Sequence, residues 1–177
     1  MRTALIVNPV AGSAARAEPS VLRAVAQAGV PLTVEHTRLP GDGVRAAREL
    51  AAAHDRLFVL GGDGTVTEAA TGLADAGCDT IIGILPGGTG NQLARALSIP
   101  LNPARAVGAL LGGGERRVDL AILNGRRRVG IGVGVGLDAA MIAESRGSMK
   151  KRLGVASYVV SAARVAWHPR RFAVRAE

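Results

Sequence analysis

The chain has 177 residues, 48% of them hydrophobic, which is enough apolar surface for a substantial core and excludes intrinsic disorder. Only four residues are aromatic, which leaves an aliphatic core and no stacking platform for single-stranded nucleic acid. The lone Cys78 excludes an internal disulfide and a cysteine zinc cluster. The net charge of +8 is unevenly placed: residues 1–114 carry nine basic and nine acidic side chains, and residues 115–177 carry thirteen and five. The basic end suits anionic lipid headgroups, nucleic acid or an anionic substrate, unless it is simply a solvated arginine-rich face.

No charge-free apolar run approaches the roughly 18 residues that suggest a membrane-spanning helix. The apolar start Thr3–Val7 is cut off by Asn8-Pro9 too soon for a signal peptide, so the cytoplasm is the expected compartment. Thr3–Val7 reads instead as a first strand, leading into the loop Asn8-Pro9-Val10-Ala11-Gly12-Ser13. Pro19–Ala28 reads as a helix stopped by Gly29, Leu32–Thr37 as a second strand and Gly41–His54 as a second helix.

The next unit is the centre of the chain. Leu57–Leu60 is a buried-strand pattern ending at Gly61-Gly62-Asp63-Gly64-Thr65, with a helix to follow. Thr65 as cap and Glu68 three residues on have capping-box spacing. A strand, a glycine turn and a helix start point backbone N–H groups and the positive end of a helix dipole at an anion, most often a phosphate. The carboxylate of Asp63 in that setting implies a metal ion or a proton, or else an ordinary turn aspartate bonded to its own backbone. The pattern repeats: a strand over Thr80–Leu85 enters Pro86-Gly87-Gly88-Thr89-Gly90-Asn91 and another helix, where Thr89 and Asn91 either contact a phosphate or ribose or cap that helix. Asn102 and Pro103 open a further helix as cap and first-turn residue.

This alternation over residues 3–111 predicts an α/β fold, an open parallel sheet with helices on both faces and its glycine turns along one carboxyl edge. Gly112–Gly114 reads as a hinge. Beyond it Arg116–Leu123 and Arg127–Val135, joined by Asn124-Gly125, read as a hairpin. The division expected is a nucleotide-binding domain over 1–114 and the incomplete start of a β-rich second domain over 115–177. The alternating Gly130, Gly132, Gly134 and Gly136 read as a face on which backbone packs closely. Helices are expected at Leu137–Glu144 and Leu153–Trp167, and a strand at Arg171–Arg175. An incomplete second domain would expose apolar edges and favour association into a homo-dimer.

With these pieces in place the chain resembles the diacylglycerol kinase catalytic-domain family, which includes bacterial lipid kinases and sphingosine kinases. The matching segments are Asn8-Pro-Val-Ala-Gly12, Thr37, Gly61-Gly-Asp-Gly-Thr65 with Glu68, and Pro86–Asn91 with Ala94-Arg95. Val118-Asp119-Leu120, Gly134–Ala139, Lys151–Gly154 and Tyr158 add to them. NAD kinases share the GGDG turn, but the first and second glycine loops look more like those of the lipid kinases. The resemblance implies ATP and Mg²⁺ as cofactors and transfer of the γ-phosphoryl group to the hydroxyl of diacylglycerol or a related lipid at an anionic membrane surface. It also implies nucleotide contacts at Asn8, Pro9, Gly12, Thr37, Gly61, Gly62, Asp63, Gly64, Thr65, Glu68, Gly88, Thr89 and Asn91. Asp63 and Asp119 would be the catalytic carboxylates, with Asp63 also the metal contact. The alternatives are a small-molecule kinase of the NAD kinase kind and a non-catalytic module that binds nucleotide or membrane; a nucleic-acid partner is not expected. The chain departs from the family pattern at Gln92, where an aspartate is usual, and at Val129 and Ile131, where Phe and Asn are usual. The family's general base is expected beyond residue 177.

Overall fold

A computed structural model describes residues 1–130 and 132. Four strands form one parallel sheet in the order β2-β1-β3-β4: β1 Thr3–Val7, β2 Leu32–His36, β3 Arg56–Gly61 and β4 Ile81–Pro86. The two central strands explain themselves. β1 (TALIV) is buried throughout and β3 (RLFVLG) from Leu57 onward, because helices cover both faces; apart from Thr3, whose buried hydroxyl has no hydrogen-bond partner among the described residues, the buried side chains are apolar. Edge strand β2 alternates, being only half covered.

Alternate side chains feed two cores. Leu5, Val7, Phe58, Leu60 and Leu85 meet Val21 and Val25 of α1 (Ala14–Gln27) and Val107 of a later helix, α5 (Pro103–Gly112). Ala4, Ile6, Leu57 and Val59 face α2 (Asp42–Ala51), α3 (Asp63–Ala76) and the short α4 (Gln92–Ala96). Each fully buried Leu, Ile, Val or Phe contributes on the order of 1.5–3 kcal/mol.

Two helix starts differ from expectation. α1 begins at Ala14, so Pro19 lies inside the helix; burial of Ala14, Val21 and Val25 outweighs the proline's lost hydrogen bond. α3 begins at Asp63 with Gly62 as its cap residue, and Thr65 and Glu68 form no capping box because both are bonded to distant segments. The expected cap at α5 is present: Asn102 Oδ1 accepts the Arg105 N–H at 3.1 Å, with Pro103 in the first turn.

By its internal contacts the chain divides into a unit Met1–Ile131 and a second, Gly132–Glu177. The first unit ends with a two-stranded antiparallel hairpin, β5 Ala121–Leu123 and β6 Arg127–Val129, shorter than the runs read from sequence. Its turn has positive φ at both Asn124 and Gly125, as a type I′ turn requires. The Gly134–Ala139 and Lys151–Gly154 segments, Tyr158, the helices expected at Leu137–Glu144 and Leu153–Trp167 and the strand at Arg171–Arg175 lie outside the described residues.

Candidate functional site

Parallel register brings the strand ends level. Val7 pairs with Leu60 and with His36, and Gly61 pairs with Pro86, so the loops after β1, β3 and β4 leave the sheet side by side. They are fastened through backbone: the Asn8 N–H donates to Leu60 O (2.9 Å), Ser13 N–H to Gly87 O (2.8 Å) and Gly87 N–H to Gly61 O (2.8 Å). The approach is close enough to require glycine. Gly12 has φ +48, and a Cβ there would lie 2.5 Å from Gly87 O; a Cβ on Gly88 would overlap the Gly62 backbone. The three glycine turns thus form one backbone-walled cradle.

Amides furnish its floor. The first intrahelical bond of α3 is Val66 N–H to Gly62 O (3.1 Å), so the amides of Asp63, Gly64 and Thr65 precede it and, as in any helix start, have no intrahelical partner. Together with the helix dipole they favour an anion. Gly64 is exposed, and a Cβ on it would meet nothing within 4 Å, so this floor is open.

Side chains brace the cradle. Asn8 Nδ2 donates to the buried Thr65 Oγ1 (2.9 Å), while Asn8 Oδ1 accepts the Val10 N–H (3.2 Å). Asn91, at the N-terminus of α4 with φ +49, does not cap that helix. Its Oδ1 accepts the Gly88 N–H (2.9 Å) and its Nδ2 donates to Gly88 O (2.8 Å), closing the second glycine loop on itself. Arg95 Nε donates to Gly90 O (3.1 Å), a brace that sequence spacing could not reveal. Asp63 Oδ1 accepts the Leu93 N–H (3.2 Å), tying α3 to α4, and its Oδ2 points toward Gly90.

Asn8, Pro9, Gly12, Gly61, Gly62, Asp63, Gly64, Thr65, Gly88, Thr89 and Asn91 therefore belong to one cluster of loops, with Thr89 exposed on it. Thr37 is buried beside it, its N–H bonded to Val7 O (2.9 Å). Glu68 is placed differently: its carboxylate accepts the N–H groups of Gly41 and Gly43 (3.1 Å each) at the start of α2, so it holds that helix rather than facing the glycine loops. Asp119 is exposed and lies across a groove of about 430 Å³ from Gln92 and Leu93 of α4, with Arg116 and Arg117 beside it.

The cradle fits a polyphosphate, since its wall is backbone and its floor is N–H groups that have no hydrogen-bond partner among the described residues. Among the described residues no group of three His, Cys, Asp or Glu is placed to hold a metal by protein ligands alone. Magnesium bound to nucleotides needs only one or two carboxylates beside phosphates and water, and Asp63 at the cradle meets that requirement.

Residues 2–123 match the model of the diacylglycerol kinase catalytic domain. A Pseudomonas aeruginosa protein named "Probable lipid kinase YegS-like" is 40% identical over 136 residues, 76% of this chain and 44% of that one. The diacylglycerol kinase of Bacillus subtilis is 32% identical over 161 residues, 89% of this chain and 53% of the relative. A crystal structure of a diacylglycerol kinase from Bacillus anthracis superposes with a TM-score of 0.64 at 36% identity, covering 71% of this chain and 47% of that chain. The chain spans about half the length of the curated relatives it matches.

Proposed function

Because the chain belongs to the family of the diacylglycerol kinase catalytic domain, we propose that it supplies the nucleotide half of an ATP- and Mg²⁺-dependent lipid kinase. The reaction is transfer of the γ-phosphoryl group to the hydroxyl of diacylglycerol or a related lipid at an anionic membrane surface. The observation that carries this reading is the cradle of three backbone-fastened glycine turns ending at the first turn of α3, where the amides of Asp63, Gly64 and Thr65 have no intrahelical partner and Gly64 is exposed.

Phosphoryl transfer asks the protein chiefly for positioning and for charge neutralisation. The first-turn amides of α3 would take phosphate oxygens, and the Asn8–Thr65 bond keeps the first loop against that turn. The Leu93 N–H holds the Asp63 carboxylate through Oδ1, and Asp63 would contribute its carboxylate to a magnesium ion bound with the phosphates. Magnesium, when bound with the nucleotide, neutralises charge on the phosphates. Gln92 and Asp119, across the groove from one another, flank the side of α4 from which an acceptor would approach. No helix among the described residues is long and apolar enough to cross a membrane.

The test is lipid phosphorylation and ATP binding by this chain, with Mg²⁺ and mixed diacylglycerol/anionic-lipid vesicles, beside Asp63→Ala. Phosphorylation that disappears in the variant supports the reading. Binding of ATP without turnover restricts the 177 residues to nucleotide binding, and phosphorylation of a soluble acceptor without lipid would favour a small-molecule kinase. Absence of both binding and turnover refutes the cradle as a nucleotide site.

A further inference from the structure

The groove beside α4 is separate from the cradle and has a different chemistry. One side is α4 with Gln92, and the apolar Leu97 just after it; the other is the segment Arg116, Arg117, Val118 and Asp119. Two guanidinium groups thus face one carboxylate, leaving the groove net positive. Arg117's ion-pair partner among the described residues is Asp79, 3.8 Å away, with both side chains about 95% exposed. Such a pair is worth almost nothing in water, and Arg117 can exchange it for a ligand. Val118 is 55% exposed, and Ile122 on the adjoining strand is 63% exposed. The groove therefore has cations, an apolar wall and further exposed apolar side chains nearby.

We propose that this groove is a binding site for the phosphate headgroup of an anionic membrane lipid, held by Arg116 and Arg117 while the lipid's apolar portion lies against Leu97 and Val118. Guanidinium forks match phosphate oxygens two at a time, and apolar side chains next to them favour an amphiphile over a free ion. The site deepens the lipid-kinase reading and rests on it for the identity of the occupant. The groove and the cradle share one element: α4 lines the groove, and its Leu93 amide holds Asp63.

The test uses the 177-residue protein without ATP or Mg²⁺, so that it is independent of turnover. Cosedimentation with phosphatidylglycerol/phosphatidylcholine vesicles is compared for the unaltered chain, the double variant Arg116→Lys/Arg117→Lys and the double variant Arg126→Lys/Arg127→Lys on the hairpin. All three carry the same charge. A fork-specific site predicts vesicle affinity about tenfold weaker, ~1.4 kcal/mol, in the first variant alone. Equal affinity in all three proteins would show diffuse attraction to charge and overturn the proposal, as would an equal loss in both variants. Competition by inorganic phosphate as effective as that by vesicle lipid would make the occupant a free anion and also overturn it. ATP binding, measured alongside, keeps the two readings apart: lost nucleotide binding with vesicle binding intact counts against the kinase and not against the groove.

Discussion

Gly64→Ala separates the site from the fold. Gly64 is the second residue of α3, is exposed, and has nothing within 4 Å of where a Cβ would stand. Its φ is not positive, so alanine is not strained there. Replacing glycine by alanine in a helix gains roughly 0.5–1 kcal/mol, and at the first turn the lower end of that range applies. The variant should therefore unfold at the same or slightly higher denaturant concentration. Its methyl group, however, projects from the amide floor on which phosphate oxygens would lie, and nucleotide affinity should fall by about tenfold or more, ~1.4 kcal/mol. Urea unfolding and calorimetric titration with ATP measure the two quantities on one preparation. Unchanged affinity would show that no phosphate rests on that turn, and a loss of stability greater than about 1 kcal/mol would show that the space above Gly64 is not open.

Gly12→Ala should do the opposite, losing stability and binding together. Its Cβ would meet backbone atoms of Gly87 and Gly88 in a left-handed conformation, costing about 1–2 kcal/mol for the angle and 1–3 for the overlap; a denaturant midpoint equal to the parent's would refute the close approach. Asn102→Ala removes the α5 cap and should cost about 1 kcal/mol with ATP binding unaltered, as the same two assays would show. Asp42, Asp55 and Asp75 are held below the ordinary aspartate range. The causes are the backbone N–H of Arg38 for the first, that of Arg2 for the second and the Arg128 side-chain hydrogen bond for the third. Since their folded values are depressed, their contribution is fully present above the unfolded value of about 3.9 and lost as pH falls through the folded ones. The unfolding midpoint should be level near neutrality and fall in that acid window, and a midpoint already falling from neutral pH would indicate other groups.

What could be read from the sequence was what local chemistry decides. β1 and β3 showed as unbroken apolar runs because both faces are covered, and the Asn102 cap and the Asn124-Gly125 turn depend on residues within a few positions. The role of Thr65 was not legible: its spacing to Glu68 matches a capping box, yet its hydroxyl bonds Asn8, 57 residues away. Glu68 bonds Gly41, 27 residues away. Asn91 read as a phosphate contact or a helix cap; it does not cap α4 but folds onto Gly88, since a left-handed backbone at φ +49 turns its amide back to the loop. Pro19 looked like a helix start because proline is expected in a first turn, but the buried face of α1 extends past it to Ala14. Side-chain partners across the sheet lie beyond what a periodic pattern encodes.

The strand order β2-β1-β3-β4 also bears on how the chain is made. Leaving a ribosome at about 5–20 residues per second, β1 acquires β2 as its first partner, while its other edge stays open until Arg56–Gly61 has emerged. The cradle comes later still, because its third wall is Gly87-Gly88. A nascent chain shorter than this lacks one wall of the cradle, and any ligand that binds only the finished sheet would draw the last step of its folding forward by mass action. Under the proposed function, ATP bound in the cradle would also act during synthesis, fastening β4 to a sheet that is otherwise already laid down.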